Sequence, residues 1–217
     1  MKSRATFFVQ MFVMLLVLAI AGGWWLVHQD LAAMRDLLAR SDRQNVPPLA
    51  VAAFVAAEDP DFFQHSRFFT VGRLLGGKKT DASLTDQLVG RVSHGRGLTR
   101  IAREVLTAAV LDITQPKERI ANAYVEDVYL GSVSGENIDG LSDGAQKYFS
   151  VAQEQLSLAQ LATLAASVRS PTLFSPYANS ERAIARRVLV LDRMHEAGAI
   201  PDPEYKAARA AIHTASN

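Results

Sequence analysis

Apolar residues run almost unbroken from Phe7 to Val27, interrupted by Gln10 and by Gly22 and Gly23. About twenty such residues are enough to cross a bilayer core as a helix. Trp24 and Trp25 stand near the far end, where indoles favour the interface. Lys2 and Arg4 flank the near end, which predicts a single pass with a cytoplasmic N-terminus and an exported bulk. A cleaved signal peptide is the competing reading, because Ala19-Ile20-Ala21 resembles a cleavage site; the continuation through Val27 favours an uncleaved anchor. Beyond it Leu31, Met34, Leu37 and Leu38 recur at helical spacing, so the anchor is expected to continue as an amphipathic helix. The expected divisions are an anchor over 1–28, an amphipathic linker helix over 29–45 and one domain over 46–217.

The remaining pattern is helical. Asn45 to Pro48 is a break, and residues 49–58 form a short apolar helix that Pro60 stops by disfavouring the α conformation at Asp59. Further helices are expected over 83–92, begun by Ser83; from Leu98 to Ile113; from Pro116 to about Leu130; and from Ser157 to about Val168. Another runs from a cap at Asn179 or Ser180 to Gly198, and the last starts at Asp202-Pro203-Glu204. Gly76-Gly77-Lys78-Lys79 and Gly95 to Gly97 read as loops, and glycines 131, 135, 140 and 144 as an irregular connection. No strand-period run of useful length and no internal repeat stands out. The fold class is therefore mainly α.

Composition narrows the partners. The 217 residues are 49% hydrophobic, enough for a real core, and carry no cysteine, which removes disulfides and thiolate metal sites. Once Lys2 and Arg4 are set aside, the 21 basic and 22 acidic residues balance, and no basic tail or patch argues for nucleic acid. The five histidines are scattered without zinc spacing, so no protein-held metal site is expected.

Three constellations could carry chemistry. Glu58 and Asp59 close the apolar run AVAAFVAAED, with His65 a turn or two later. A carboxylate in the last helical turn faces the negative end of the helix dipole, which raises its pKa toward what a general base needs. The plain alternative is a solvated helix end. Arg100 and Glu104 lie four apart on one helix face with Arg103 beside them, either an ordinary surface ion pair or an anion-binding arginine with a second carboxylate. Ser83, Thr85 and Gln87 alternate ahead of Leu88 and Val89, as a helix cap or as polar substrate contacts.

In this order the pieces resemble the peptidoglycan glycosyltransferases of family 51, the transglycosylase module of bifunctional penicillin-binding proteins and of monofunctional cell-wall polymerases. The family's first motif, roughly EDxxFxxHxGxD, is met by Glu58, Asp59, Phe62 and His65. Its second, roughly GxSTxTQQLxKN, is met by Thr85, Gln87, Leu88 and Val89, and its third, RKxxE, by Arg100 and Glu104. ERIANAYVEDVYLGS and the segment from Leu156 onward, with Pro171, Ser175, Pro176 and Arg187, follow the family as well; the likeness covers about residues 46–209. It implies a lysozyme-like, two-lobed helical domain.

The departures concern charge. Where the family has glycine and aspartate after the histidine, this chain has Arg67 and Phe69. The lysine and asparagine of the second motif are Gly90 and Arg91, its first glutamine is Asp86, and the lysine of the third motif is Ile101. Each lost cation near a diphosphate removes contacts worth ~1.5–3 kcal/mol. Arg91, Arg96 and Arg103 are the arginines that could substitute.

The resemblance implies a polymerase of lipid-linked disaccharide pyrophosphates, with the membrane, the precursor and the growing glycan strand as partners and other cell-wall synthases as possible associates. Glu58 would take the proton of the acceptor 4-hydroxyl, and Glu104 would orient the donor pyrophosphate or a divalent cation (Mg or Mn) on it. Arg100, Arg103, Gln87, Thr85 and Ser83 would contact phosphates and sugar, while Asp59 and His65 hold Glu58. Phe68, Phe69 and Leu74 could dip into the bilayer or belong to the core. The chain's end at Asn217 suggests a monofunctional enzyme. Two other readings stand beside it: an impaired homologue that binds precursor or wall-synthesis partners as a scaffold, and a glycan hydrolase.

Overall fold

The computed structural model describes residues 2–74, 82–94 and 96–214. Helix α1 (Lys2–Ser41) is a single helix of 40 residues. Its stretch Thr6–Trp25, with a mean hydropathy of 2.2, is long and apolar enough to cross a membrane and buries nothing in the domain. The remainder belongs to the fold. Val27, Met34, Leu37 and Leu38 are buried, and α1 packs along α5 (Gly97–Thr114) and α6 (Lys117–Asp127). The amphipathic stripe expected to form a linker is thus one wall of the core.

Helix α2 (Pro48–Glu58) starts on Pro47-Pro48, where the fixed proline φ suits a helix start, and its alanines are buried nearly all round. It packs against α8 (Leu158–Ser167), which is equally rich in alanine, and against α9 (Glu181–Glu196). With α10 (Asp202–Thr214) these helices form one group. Helices α1, α4 (Leu84–Val92), α5 and α6 form the other, with α3 (Phe69–Leu74) on α5. The groups meet where α2 packs on α6, and one apolar cluster runs through both.

Local signals set the helix ends. Ser83 and Asp86 form a reciprocal capping box on α4, and Ser157 and Gln160 form another on α8. Ser180, not Asn179, caps α9 through the Ala183 amide. Helix α9 closes in a Schellman turn with Gly198 at φ +71, its N–H bonded to His195 O and that of Ala199 to Met194 O.

Two expectations are corrected. Helix α6 ends at Asp127 rather than near Leu130, and Pro116 stands just before it rather than inside it. The glycine-rich connection is not irregular: β1 (Tyr129–Val133) and β2 (Glu136–Asp139) form an antiparallel hairpin. Ser134 and Gly135, both at positive φ, make its two-residue turn, and Leu130 and Ile138 bury its inner face. The hairpin leads directly into the short helix α7 (Gly140–Gly144). Gly140 lies at φ +82, and a Cβ there would stand 2.2 Å from the Glu126 carbonyl oxygen, so only glycine fits. The loop expected at Gly76 to Lys79 lies outside the described residues, as does Gly95.

Candidate active site

Glu58 is the last residue of α2, and its side chain is only 6% exposed. Arg186 Nη2 donates to Glu58 Oε1 at 3.0 Å and to the Ala57 carbonyl at 2.8 Å. Arg193, about two turns further along the same face of α9, donates to the carbonyls of Ala56 and Ala57. Two guanidinium groups therefore cover the negative end of α2, where cations are favourable. Burial is the chief cause that pushes the Glu58 carboxyl above its ordinary value; Arg186, Arg169 and Arg193 pull the other way.

Asp59 turns off the helix at φ −154 and is also buried. Its Oδ2 accepts the Leu84 amide at 3.3 Å, which ties the end of α2 to the start of α4, and its Oδ1 lies 3.6 Å from His65 Nε2. Burial pushes Asp59 up to about 6 against the pull of the Leu84 amide and Lys117. The His65 ring stacks flat on Phe69, centroids 3.8 Å apart, so the phenylalanine at the family's aspartate position packs on the motif histidine. Phe68 beside it is 63% exposed. The Leu74 side chain lies outside the described residues.

Thr85 faces inward. Its hydroxyl donates to Asp112 Oδ1 at 2.8 Å, and Thr70 donates to Asp112 Oδ2 at 2.6 Å. Lys117 Nζ reaches the same carboxylate at 3.1 Å and stands 4.4 Å from the Phe62 ring centroid. Asp112 on α5 thus joins α3, α4 and α6 beneath the site. Ser83 is occupied as the α4 cap. Gln87 Oε1 accepts the Tyr124 hydroxyl at 2.9 Å, and the charge of Glu58 acts on that same tyrosine. Glu58, Asp59, His65, Ser83, Thr85 and Gln87 are therefore gathered around the junction of α2, α4 and α6.

Arg100, Arg103 and Glu104 stand on α5. Arg100 Nε meets Glu104 Oε1 at 2.7 Å with the pair partly open to solvent. Among the described residues no hydrogen bond or ion pair joins Glu104 to Glu58. Arg103 turns away toward α1, where it pairs with Asp30. Of the substitute arginines, Arg91 is held by Asp127 at 2.6 Å and Asp139 at 2.7 Å. Arg96 precedes α5 and is exposed.

Sequence reading passed over Arg186 and Arg193, which lie seven apart and so share a face of α9; that spacing was the available signal. The neighbouring Arg187 instead binds the carbonyls of Ser175, Pro176 and Ala178 and fixes the segment ahead of α9. Asp30 and Asp112 carried no local signal, because Ser93 and Arg103 in the one case and Thr70 and Thr85 in the other lie far off in the chain.

A family model described as Transglycosylase matches residues 33–195. Penicillin-binding protein 1B of Vibrio cholerae is 34% identical over 177 residues, covering 76% of this chain and 23% of that protein. Penicillin-binding protein 1A of Aquifex aeolicus is 33% identical over 177 residues, again 23% of its length. The chain thus spans about a quarter of these relatives. A protein of Cupriavidus necator, provisionally named a transglycosylase, is 31% identical over 223 aligned positions, 91% of this chain and 94% of that one.

Proposed function

This chain belongs to the transglycosylase family, and on that premise we propose that it polymerises lipid-linked disaccharide pyrophosphates into glycan strands at the outer face of a bacterial inner membrane. The observation that carries the reading is Glu58, a buried carboxyl raised by desolvation and held by Arg186 at the mouth of α2. Such a group is a base of suitable strength for an alcohol near neutral pH.

In the proposed reaction Glu58 accepts the proton of the acceptor 4-hydroxyl. The freed oxygen attacks the anomeric carbon of the donor. A β-1,4 bond forms with inversion, and the bond to the lipid pyrophosphate breaks with its electrons leaving on the phosphate oxygen. Arg186 fixes the Glu58 carboxylate, while Asp59, bound to the Leu84 amide and beside His65, fixes the turn that carries it. Arg100 and Glu104 face the donor pyrophosphate, where a cation stabilises a leaving anion. A divalent cation fits there only in part: Glu104 already pairs with Arg100, and no trio of metal-binding side chains gathers among the described residues. Glu104 would hold such an ion together with phosphate oxygens, and the ion would neutralise the leaving group.

A specific observation favours a second reading, a homologue that binds precursor but turns it over poorly. Gly90 and Ile101 replace family lysines, and Arg91 and Arg103 are engaged in internal ion pairs. The test is purified full-length protein in detergent with labelled lipid-linked disaccharide. Chain growth lost in Glu58→Gln supports the polymerase; tight binding without polymer supports the scaffold; release of soluble fragments from isolated wall would revive a hydrolase.

A further inference from the structure

We propose that Asp30, just beyond the membrane-spanning stretch of α1, is a positioning residue for the face of α5 that carries Arg100 and Glu104. The proposal rests on the functional reading above and adds to it a part played by the anchor helix. Asp30 is 2% exposed, five residues past Trp25. Its Oδ2 accepts the Ser93 hydroxyl at 2.7 Å, from the residue that ends α4. Arg103 Nε reaches Oδ2 at 3.2 Å, and Arg103 Nη2 binds Oδ1, a two-point fork. The same guanidinium donates through Nη1 to the His94 carbonyl at 3.1 Å.

Among the described residues, the first turns of α5 bury little else. Its buried residues begin only at Thr107; Leu98 is 83% exposed and Ile101 56% exposed. Gly97 enters the helix at φ +74, in the left-handed region that glycine adopts without steric cost, and it brings no side chain to pin the entry. The fork on Asp30 lies one residue from Glu104 and three from Arg100. It therefore sets the direction of the pair proposed to face the pyrophosphate, and it does so from α1. The anchor is in this sense an internal part of the donor side and not only a tether. Burying a carboxylate is tolerated here because both of its oxygens are bonded and its charge is matched.

The experiment compares full-length protein in detergent with Asp30→Asn, Asp30→Glu and Arg103→Lys. Hydrogen exchange is read over residues 97–104, and binding of labelled lipid-linked disaccharide pyrophosphate is read in a Glu58→Gln background, so that turnover plays no part. Asp30→Asn is expected to speed exchange of the first α5 amides and to weaken binding by about tenfold, with α8 and α9 protection unchanged. In polymerisation its loss falls on KM more than on kcat, whereas a fall in the folded fraction would lower kcat alone. Arg103→Lys, which keeps the charge but not the fork, should shift in the same direction, and Asp30→Glu should recover part of the binding. Unchanged exchange and binding in Asp30→Asn overturns the proposal while leaving the polymerase reading intact. If protection is lost across the whole domain in both Asp30→Asn and Arg103→Lys, the pair is structural and the proposal fails. If the Glu58→Gln protein binds no precursor and the unaltered chain makes no polymer, the functional reading fails first and the positioning role falls with it.

Discussion

Arg186 Nη2 lies 3.0 Å from Glu58 Oε1, although the two residues stand 128 positions apart in the chain. The arginine stabilises the ionised carboxylate, and burial opposes it with the larger effect. Removing the arginine therefore raises the pKa of Glu58 further. Arg186→Ala should move the acid limb of kcat/KM to higher pH and leave the rate well above that limb less affected. Glu58→Gln should lower polymerisation by about 10²–10⁴-fold above the acid limb, the usual contribution of a general base, and the gap should narrow below it, where Glu58 is protonated in the unaltered enzyme. A pH–rate profile of both variants checks this. An acid limb that stays in place in Arg186→Ala would show that Glu58 is not the titrating base.

Gly90 and Ile101 test whether the missing lysines matter. Among the described residues nothing lies within 4 Å of a Cβ built on Gly90, and Ile101 is solvent-facing, so both positions accept a long side chain. Gly90→Lys also removes a glycine from a helix interior and should add ~0.5–1 kcal/mol of stability. The double variant Gly90→Lys/Ile101→Lys should raise turnover about tenfold or more, if each new cation regains a charge-assisted contact of ~1.5–3 kcal/mol. An unchanged rate with labelled precursor would mean that arginines already present serve the pyrophosphate.

The elements that were legible in the sequence are those whose signals are local. Ser83, Ser157 and Ser180 each cap the helix they precede, and the proline at 60 and the glycine at 198 each mark a stop. The hairpin escaped because its strands are four and five residues long, too short for an alternation to show; Ser134-Gly135 was the remaining clue. The stripe on α1 was legible, but not the surface it covers, because periodicity names a face and not its partner. The same limit governs the site. Glu58 stood out as a carboxylate at an apolar helix end, yet its environment comes from α9. Thr85 and Arg103 were polar residues in the right segment, and only the fold shows that they point at Asp112 and Asp30.

Asp112 should be a stability determinant beneath the site. It is 1% exposed and receives Thr70, Thr85 and Lys117 from three other helices. Asp112→Ala would leave Lys117 without this partner in a buried setting and should cost ~3–5 kcal/mol. Thr85→Val loses one hydrogen bond to a charged group and should cost ~1–3 kcal/mol. Denaturant melts check both. If Thr85→Val instead raises KM for the precursor with an unchanged melt, Thr85 contacts substrate and its bond to Asp112 is incidental.

Glu126 supplies a pH-dependent penalty that can be removed. Burial, aided by Asp143 and Glu154, pushes its carboxyl up to about 6 from 4.5, and its Oε1 is buried without a hydrogen-bond partner among the described residues. A carboxyl raised in the folded state holds its proton more tightly there than in the unfolded chain. Below about 4.5 both states are protonated, and the group has no effect on stability. As pH rises to about 6 the unfolded chain ionises first, so folding loses stability, and above that the full penalty remains. Glu126→Gln should therefore match the unaltered protein near pH 4 and exceed it near pH 7.5 by roughly 1 kcal/mol, a figure reduced from the bare shift because the group is only partly buried. Asp59, pushed up to about 6 in the same direction, contributes to the common pH trend of both proteins and cancels in their difference. Thermal melts of the pair at the two pH values decide it; an advantage for Glu126→Gln that is equal at both would mean that packing, not ionisation, is the source.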